Sequence, residues 1–379
     1  MASTLLPGST VGVVGGGQLG RMLAQAAHQH GYRVVVFTGG EKDSPAGRIA
    51  EIEIAAPFDD ETALARFLAE VDVITWEFEN VDPALAAAAV EAGLPVRPSG
   101  DIIASAQDRE KEKRALEDAG VSVAPWRPAS TLDELRGAVA DLGAPVIAKS
   151  ARFGYDGKGQ VRIDDPADVD AAWDRLGGVR LVVEAVIPFE RELSVVVARG
   201  VHGDVVDHGV MENEHVHHIL DTTMTPASVP ATRADEARDL ARRVAVGWDL
   251  VGVLCVEIFD TGDDMLVNEV APRPHNSGHC TIEAAGASQF EQQLRAACGL
   301  PLGDGSCRPA AMVQLLGDLW EDGEPDWAAA LADPDVHLHL YGKGEARAGR
   351  KMGHLTCVGE DPAQALQKAL DARHALSGR

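Results

Sequence analysis

Two carboxylates, Glu257 and Glu269, lie on neighbouring apolar runs that read as the arms of one β-hairpin. The runs Val253-Leu-Cys-Val-Glu-Ile-Phe259 and Met265-Leu-Val-Asn-Glu-Val270 flank Thr261-Gly-Asp-Asp264, whose composition is that of a turn. Folding about that turn places Glu257 roughly opposite Glu269. Like charges across a strand pair repel, so the pattern calls for a cation between them. A hard divalent ion that also holds substrate phosphates meets that need. Just past Glu269 come Arg273, His275, Asn276 and His279, stiffened by Pro272 and Pro274. The planar fork of Arg273 suits an oxyanion such as bicarbonate or a carboxylate.

Other segments carry weaker signals. Lys149 closes the apolar strand 145–149, and Gly154, Gly157 and Gly159 follow within six positions. Their amides are free to wrap a polyphosphate, with Lys149 and Lys158 supplying charge. The spacing is not that of a Walker loop, and a hairpin tip with solvated lysines is the other reading. Glu184 to Ile187, with Glu192, bracket a hinge suited to an adenine edge and ribose hydroxyls; alone, the glutamates read as surface charges. Gly15-x-Gly17-x-x-Gly20 follows a strand and precedes a helix, as in dinucleotide sites. The acidic residue expected after the second strand is absent, since Thr38-Gly39-Gly40 follows Phe37. A phosphate-binding turn without a nicotinamide is favoured, and a purely structural tight turn stays open. His215 and His217 are expected on one strand face, but spacing supplies no further zinc ligand. His337 and His339 are a similar case. Lys343, Arg347, Arg350 and Lys351 concentrate positive charge, either as a phosphate-ester site or as a solvated face.

These residues need an α/β scaffold. Strands at 10–14, 34–37 and 71–76 alternate with helices after Gly17, near 59–69 and at 83–92, which predicts an open parallel sheet in a first domain, 1–105. Residues 106–310 read as a second domain, with a small α+β lid at about 121–186. The lid has helices at 131–142 and 165–176 and strands near 145–149, 160–163 and 180–185. Residues 311–379 form a C-terminal segment with strands at 312–316 and 336–341 and a helix at 362–376.

The whole chain sets bounds. Its 379 residues carry 34 basic and 59 acidic side chains, a formal charge of −25. Such a surface makes nucleic acid or an anionic membrane an unexpected partner. No run has the length of a membrane span, and no charged-then-apolar leader opens the chain. Five scattered cysteines without Cys-x-x-Cys spacing read as free thiols of a reducing cytoplasm.

The lid glycines, strand lysine, hinge glutamate and Glu…Asn-Glu pair, in this order, resemble the ATP-grasp ligases. The segments 15–22, 76–81, 154–160, 268–279 and 349–354 are similar, more narrowly, to the N5-carboxyaminoimidazole ribonucleotide synthetase family. The resemblance covers about residues 10–370. It implies an ATP-grasp fold: a pre-ATP-grasp α/β domain, a lid and a larger α+β C-terminal domain. It implies ATP-dependent carboxylation of aminoimidazole ribonucleotide by bicarbonate, through carboxyphosphate, in purine biosynthesis.

It also implies roles. Arg109, Lys149, Gly154, Tyr155, Asp156, Gly157, Lys158, Gly159, Gln160, Glu184, Ala185, Val186, Ile187, Glu192, His215, Asn268 and Glu269 would contact ATP. Glu257 and Glu269 would hold magnesium, with manganese as the alternative ion. Gln18, Leu19, Glu77, His275, Asn276, Lys343, Arg350 and Lys351 would face the other substrates. Arg273 would orient bicarbonate, and Tyr155 or Asp156 would assist proton transfer. A cytoplasmic homodimer is implied as well. The tail departs from the pattern: it reads Arg347-Ala-Gly-Arg350 where the family has proline in place of alanine, and one extra residue separates Lys343 from Arg347. The rival functions are another ATP-grasp ligase (biotin carboxylase-like or formate-using), a nicotinamide oxidoreductase, and an ATP-binding regulatory module without turnover.

Overall fold

The computed structural model describes residues 4–152, 154 and 159–377. Its first layer runs β1 (Thr10–Val14), α1 (Gln18–Gln29), β2 (Arg33–Phe37), β3 (Ile52–Ile54), α2 (Glu61–Glu70), β4 (Val73–Trp76), α3 (Pro83–Glu91) and α4 (Gly100–Ala106). The four strands form a parallel sheet in the order β3-β2-β1-β4. β1 is buried along its whole length, as expected of a parallel strand covered on both faces. Asp60 and Asp82 start α2 and α3 by accepting amides of their first turns. Trp76 and Phe67 fill the core on one face of the sheet, Leu23 and Met22 the core on the other.

The second unit begins with α5 (Arg109–Asp118) and continues with β5 (Trp126–Ala129), α6 (Leu132–Leu142), β6 (Val146–Ser150), β7 (Gln160–Ile163), α7 (Val169–Arg175) and β8 (Leu181–Ala185). Its sheet is antiparallel, ordered β5-β8-β6-β7, and α6 and α7 cover one face through Leu135, Val139 and Val169. Ile147 pairs with Glu184, so Lys149, two residues on, shares the face of Glu184 as its diagonal neighbour.

The remainder comprises β9 (Arg191–Arg199), β10 (Val205–Val216), β11 (Ile219–Thr225), α8 (Ala231–Gly247), β12 (Gly252–Asp260), β13 (Met265–Ala271), α9 (Thr281–Ala284), α10 (Gln289–Cys298), β14 (Ala310–Leu316), α11 (Trp327–Ala330), β15 (Val336–Leu340), β16 (Lys351–Val358) and α12 (Pro362–Ala375). Eight strands form one sheet, β13-β12-β9-β10-β11-β14-β16-β15. Pairing of β11 with β14 makes the C-terminal strands a continuation of this sheet. β16 is a strand that the basic composition around Arg350 concealed. α8 packs on β9, β10 and β12 through Leu240, Ala241 and Val244. α10 joins the layers: Phe290 and Leu294 share a core with Val13 and Leu23 while the helix lies against β12.

Candidate active site

The hairpin β12–β13 places Glu257 and Glu269 in register. Simple hairpin counting does not, because Asp260, Phe259 and Ile258 pair with Met265, Leu266 and Val267. Continuing that ladder would set Asn268 opposite Glu257. A bulge at this point leaves Asn268 without a cross-strand partner and advances Glu269 by one place. His275 Nε2 lies 3.1 Å from a Glu257 oxygen, and Arg109 Nη1 lies 3.1 Å from Glu269 Oε2. Desolvation opposes the Glu269 charge, but Arg109 and Lys149 outweigh it and hold this carboxyl below its ordinary range. Burial likewise opposes a charge on His275, yet Cys255 and Glu257 raise it to about 10. The side-chain oxygen of Asn268, next to Glu269 in the chain, is buried without a hydrogen-bond partner among the described residues. Two carboxylates and an orphaned amide oxygen form a hard-oxygen donor set that fits magnesium. Among the described residues no group of three or more His, Cys, Asp or Glu is arranged to hold a metal.

Next to this pair is a buried charge network. Lys149 Nζ lies 2.7 Å from Glu184 Oε2, and Lys113 Nζ lies 3.3 Å from the other oxygen. Burial alone would raise the Glu184 carboxyl; Lys149, Lys113 and Arg109 reverse this and take it down to about 2. The hinge glutamate therefore stands between two lysines. Arg109 also donates to the Gly154 carbonyl at 3.1 Å, tying the β13 carboxylate to the lid. The amides of Ala185 and Val186 are bonded to Pro125 and Pro145, and the Ile187 carbonyl accepts from Phe189. Only part of the hinge backbone is thus left to read a base. Glu192 bonds His215 Nδ1 at 2.6 Å and lines a cavity of about 600 Å³ with Asn213 and Phe189. His217 does not share a face with His215. β10 ends at Val216, and His217 and His218 turn the chain with φ of 51° and 65°. Gly159 and Gln160 lead into β7, whereas Tyr155, Asp156, Gly157 and Lys158 lie outside the described residues.

A second cluster lies where the first sheet meets the hairpin. Glu77 follows β4 and its carboxylate sits on the glycine turn, bonded to the Gly17 amide. A Cβ at Gly15 or Gly17 would come within 2.4 Å of a Glu77 oxygen, and Gly15 has φ of 115°. The glycines thus accommodate the protein's own carboxylate, which takes an amide that a dinucleotide phosphate would use. Desolvation pushes the Glu77 carboxyl up to about 7, opposed by Gly17, Arg273 and Lys343. Glu79 grips Arg273 through both oxygens. Gln18 Nε2 reaches Asn276 Oδ1 at 3.4 Å, while Leu19 is buried in the core. Burial, then Arg350, lowers Lys343 to about 8, with Glu77 opposing. Lys351 also acts on Lys343 electrostatically, so Lys343 feels both Glu77 and the cations Arg350 and Lys351. Arg347 instead pairs with Glu345.

Comparison with known proteins reads this geometry. Three family models match in succession: a ribonucleotide synthetase preATP-grasp domain over 8–107, an ATP-grasp domain over 114–290, and a phosphoribosylaminoimidazole carboxylase C-terminal domain over 310–368. The N5-carboxyaminoimidazole ribonucleotide synthase of Bacillus subtilis (strain 168) is 44% identical over 93% of this chain and 92% of its own. This chain belongs to the N5-carboxyaminoimidazole ribonucleotide synthase family. Among solved structures, an ADP complex of such a synthetase superposes with a TM-score of 0.92 at 40% identity, covering 98% of both chains. The Aspergillus clavatus synthase in complex with ADP and 5-aminoimidazole ribonucleotide matches with a TM-score of 0.88 at 29% identity, over 99% of this chain and 100% of its own.

Within this synthase fold, three site residues escaped sequence reasoning. Glu79 was legible, since it alternates with Glu77 in Trp76-Glu-Phe-Glu79 and holds Arg273. Glu112 and Lys113 were hidden in the charged run of α5, although Arg109, Glu112, Lys113 and Leu116 follow one helical face. Both are buried. Burial, then the nearby Glu269 charge, pushes the Glu112 carboxyl up to about 8.

Proposed function

We propose that this chain joins bicarbonate to 5-aminoimidazole ribonucleotide with ATP, giving N5-carboxyaminoimidazole ribonucleotide, ADP and phosphate. The observation that carries the reading is the in-register pair Glu257 and Glu269, set between the Lys149–Glu184 network and the Glu79–Arg273 pair. The first cluster suits a polyphosphate, and the second suits an oxyanion beside a phosphorylated sugar.

Bicarbonate is a poor electrophile and the exocyclic amine a weak nucleophile. A bicarbonate oxygen attacks the γ-phosphorus and ADP leaves, so that carboxyphosphate forms. The amine then takes the carboxyl carbon, directly or after release of CO2, and phosphate departs. Glu257, Glu269 and the Asn268 amide oxygen would hold magnesium, which neutralises charge on the transferring phosphoryl group when bound. Lys149 and Arg109 place fixed positive charge along the phosphates. Arg273, steadied by Glu79, orients bicarbonate through its remaining donors. Lys343, Arg350 and Lys351 take the ribonucleotide phosphate, and Glu77 with Gln18 and Asn276 takes its sugar and base. Tyr155 and Asp156 are the proposed proton acceptors for the amine. Closure of the lid would exclude water, because carboxyphosphate hydrolyses readily.

A cytoplasmic homodimer completes the proposal. All five cysteines are free thiols, which supports a reducing compartment. Among the described residues no helix is long and apolar enough to cross a membrane. The deciding experiment measures ADP release with the ribonucleotide, bicarbonate and ATP, each omitted in turn. Release should need all three. Turnover sustained by biotin or formate in place of the ribonucleotide would instead select another ATP-grasp ligase, and NAD(P)H binding would revive the oxidoreductase reading.

A further inference from the structure

β13 is the edge strand of the eight-stranded sheet, and its outer side is met at Val267 by a bridge from Val123. Helix α5 lies along this side. Lys113 Nζ donates to the Asn268 carbonyl at 2.8 Å, and Glu112 Oε1 accepts from the Val270 amide at 2.8 Å. Two successive side chains of one helix therefore grip the peptide groups on either side of Glu269. Asn268 is the residue that bulges out of the β12–β13 ladder. Both helix residues are almost wholly buried, Glu112 at 3% and Lys113 at 2% exposure. Buried charges on an edge are costly unless they are paired or bonded. Leu116, one turn further along, shares a core with Val267 and Val270 and keeps the helix on the strand.

The bulge matters because side chains alternate along a strand. A one-residue slip would carry Glu269 to the opposite face and put Asn268 across from Glu257. A bulge is an interruption of the ladder and needs partners for the groups it frees. Asn268 and Val270 find theirs on α5. Lys113 extends the grip to Glu184, where Lys149 also binds, so one lysine links the metal strand to the phosphate network.

We propose that Glu112 and Lys113 are positioning residues that clamp the bulge at Asn268 and so bring Glu269 opposite Glu257. The proposal rests on the reading of Glu257 and Glu269 as the metal pair, and its test separates the two. Glu112→Leu/Lys113→Met replaces both side chains by apolar groups of similar size, and Glu184 keeps Lys149 as its partner. Amide hydrogen exchange across residues 265–271 is measured without metal or substrate, and Mn2+ is then titrated by electron paramagnetic resonance with ADP present. Exchange should accelerate on the order of tenfold or more in 265–271. Mn2+ affinity should fall on the order of tenfold while metal-free ADP binding holds. Unchanged protection in 265–271 overturns the clamp, whatever the metal does. Failure of the unaltered protein to bind Mn2+ removes the metal reading and leaves the exchange result to judge the clamp. Should the double variant not fold, Glu112→Gln, which keeps an acceptor for Val270, is compared with Glu112→Met, which lacks one. Faster exchange in Glu112→Met alone supports the clamp; equal exchange in both overturns it.

Discussion

Arg109 lies 3.1 Å from Glu269, bonded to a carboxylate oxygen that the metal would also use. Its second nitrogen reaches the Gly154 carbonyl, so the guanidinium joins β13 to the lid. Charge on Glu269 is partly compensated by Arg109, which eases the repulsion between two facing glutamates.

Glu269→Gln removes the charge and keeps the shape. ADP formation at moderate magnesium should drop on the order of a hundredfold or more. A coupled ADP assay across a magnesium titration checks this, and near-normal turnover would show that Glu269 is no ligand.

Arg273→Lys should raise the KM for bicarbonate roughly tenfold more than the KM for ATP, because lysine cannot reproduce the fork. Glu79→Gln should show the same bias in milder form, since Glu79 steadies the guanidinium. Equal losses for both substrates would make Arg273 a structural residue.

Glu77 and Lys343 set a narrow window of pH. Glu77, raised to about 7, gains its charge as the pH rises through that value. Lys343, lowered to about 8, loses its charge as the pH rises further. The ratio kcat/KM for the ribonucleotide should therefore be bell-shaped, with its maximum between these limits. Glu77→Gln should abolish the acidic limb; a profile that keeps it would assign that limb to another group.

Buried neutral histidines should make the fold sensitive to mild acid. Burial lowers His208 to about 4, against Gly305 and Asp207, and holds His279 and His354 well below the ordinary range. The unfolded chain takes up these protons below about pH 6.5, while the folded chain does not. Stability is fully present above that value and falls as the pH drops, until His208 itself protonates near pH 4. His208 alone corresponds to about 3 kcal/mol over that interval. Glu184 acts in a lower window, since its depressed pKa loses stability only between about 4.5 and 2. Urea melts at pH 7.5 and 5.5 measure the upper window, and His208→Asn should flatten the slope between them. An unchanged slope would mean that His208 titrates alike in the folded and unfolded chains.

Much of the scaffold was legible because its signals are local. Apolar runs on either side of a turn marked β12 and β13, and the alternation of strand, glycine turn and amphipathic helix marked the first parallel sheet. Lys149 and Glu184 were singled out separately, yet their 2.7 Å pairing depends on two strands separated by the lid loop and α7. His217 misled because a run of polar residues does not reveal where β10 stops and a left-handed turn begins. Glu112 and Lys113 were not singled out, since a charged run does not tell which face of a helix becomes buried.

By itself the amino-acid sequence determined the kinds of chemistry present: carboxylates on a hairpin, glycines around a phosphate-sized loop, and an arginine stiffened between prolines. Those follow from residue type and short spacing, which folding does not alter. The turn brought Glu257 and Glu269 near each other, but the tertiary structure decided the register that pairs them. Turn counting from Asp260 and Met265 pairs Glu257 with Asn268, and only the bulge moves Glu269 into that place. The bulge lies at an edge whose freed carbonyl and amide are met by Lys113 and Glu112, more than 150 residues away in the chain. A register set by such distant partners has no local signature.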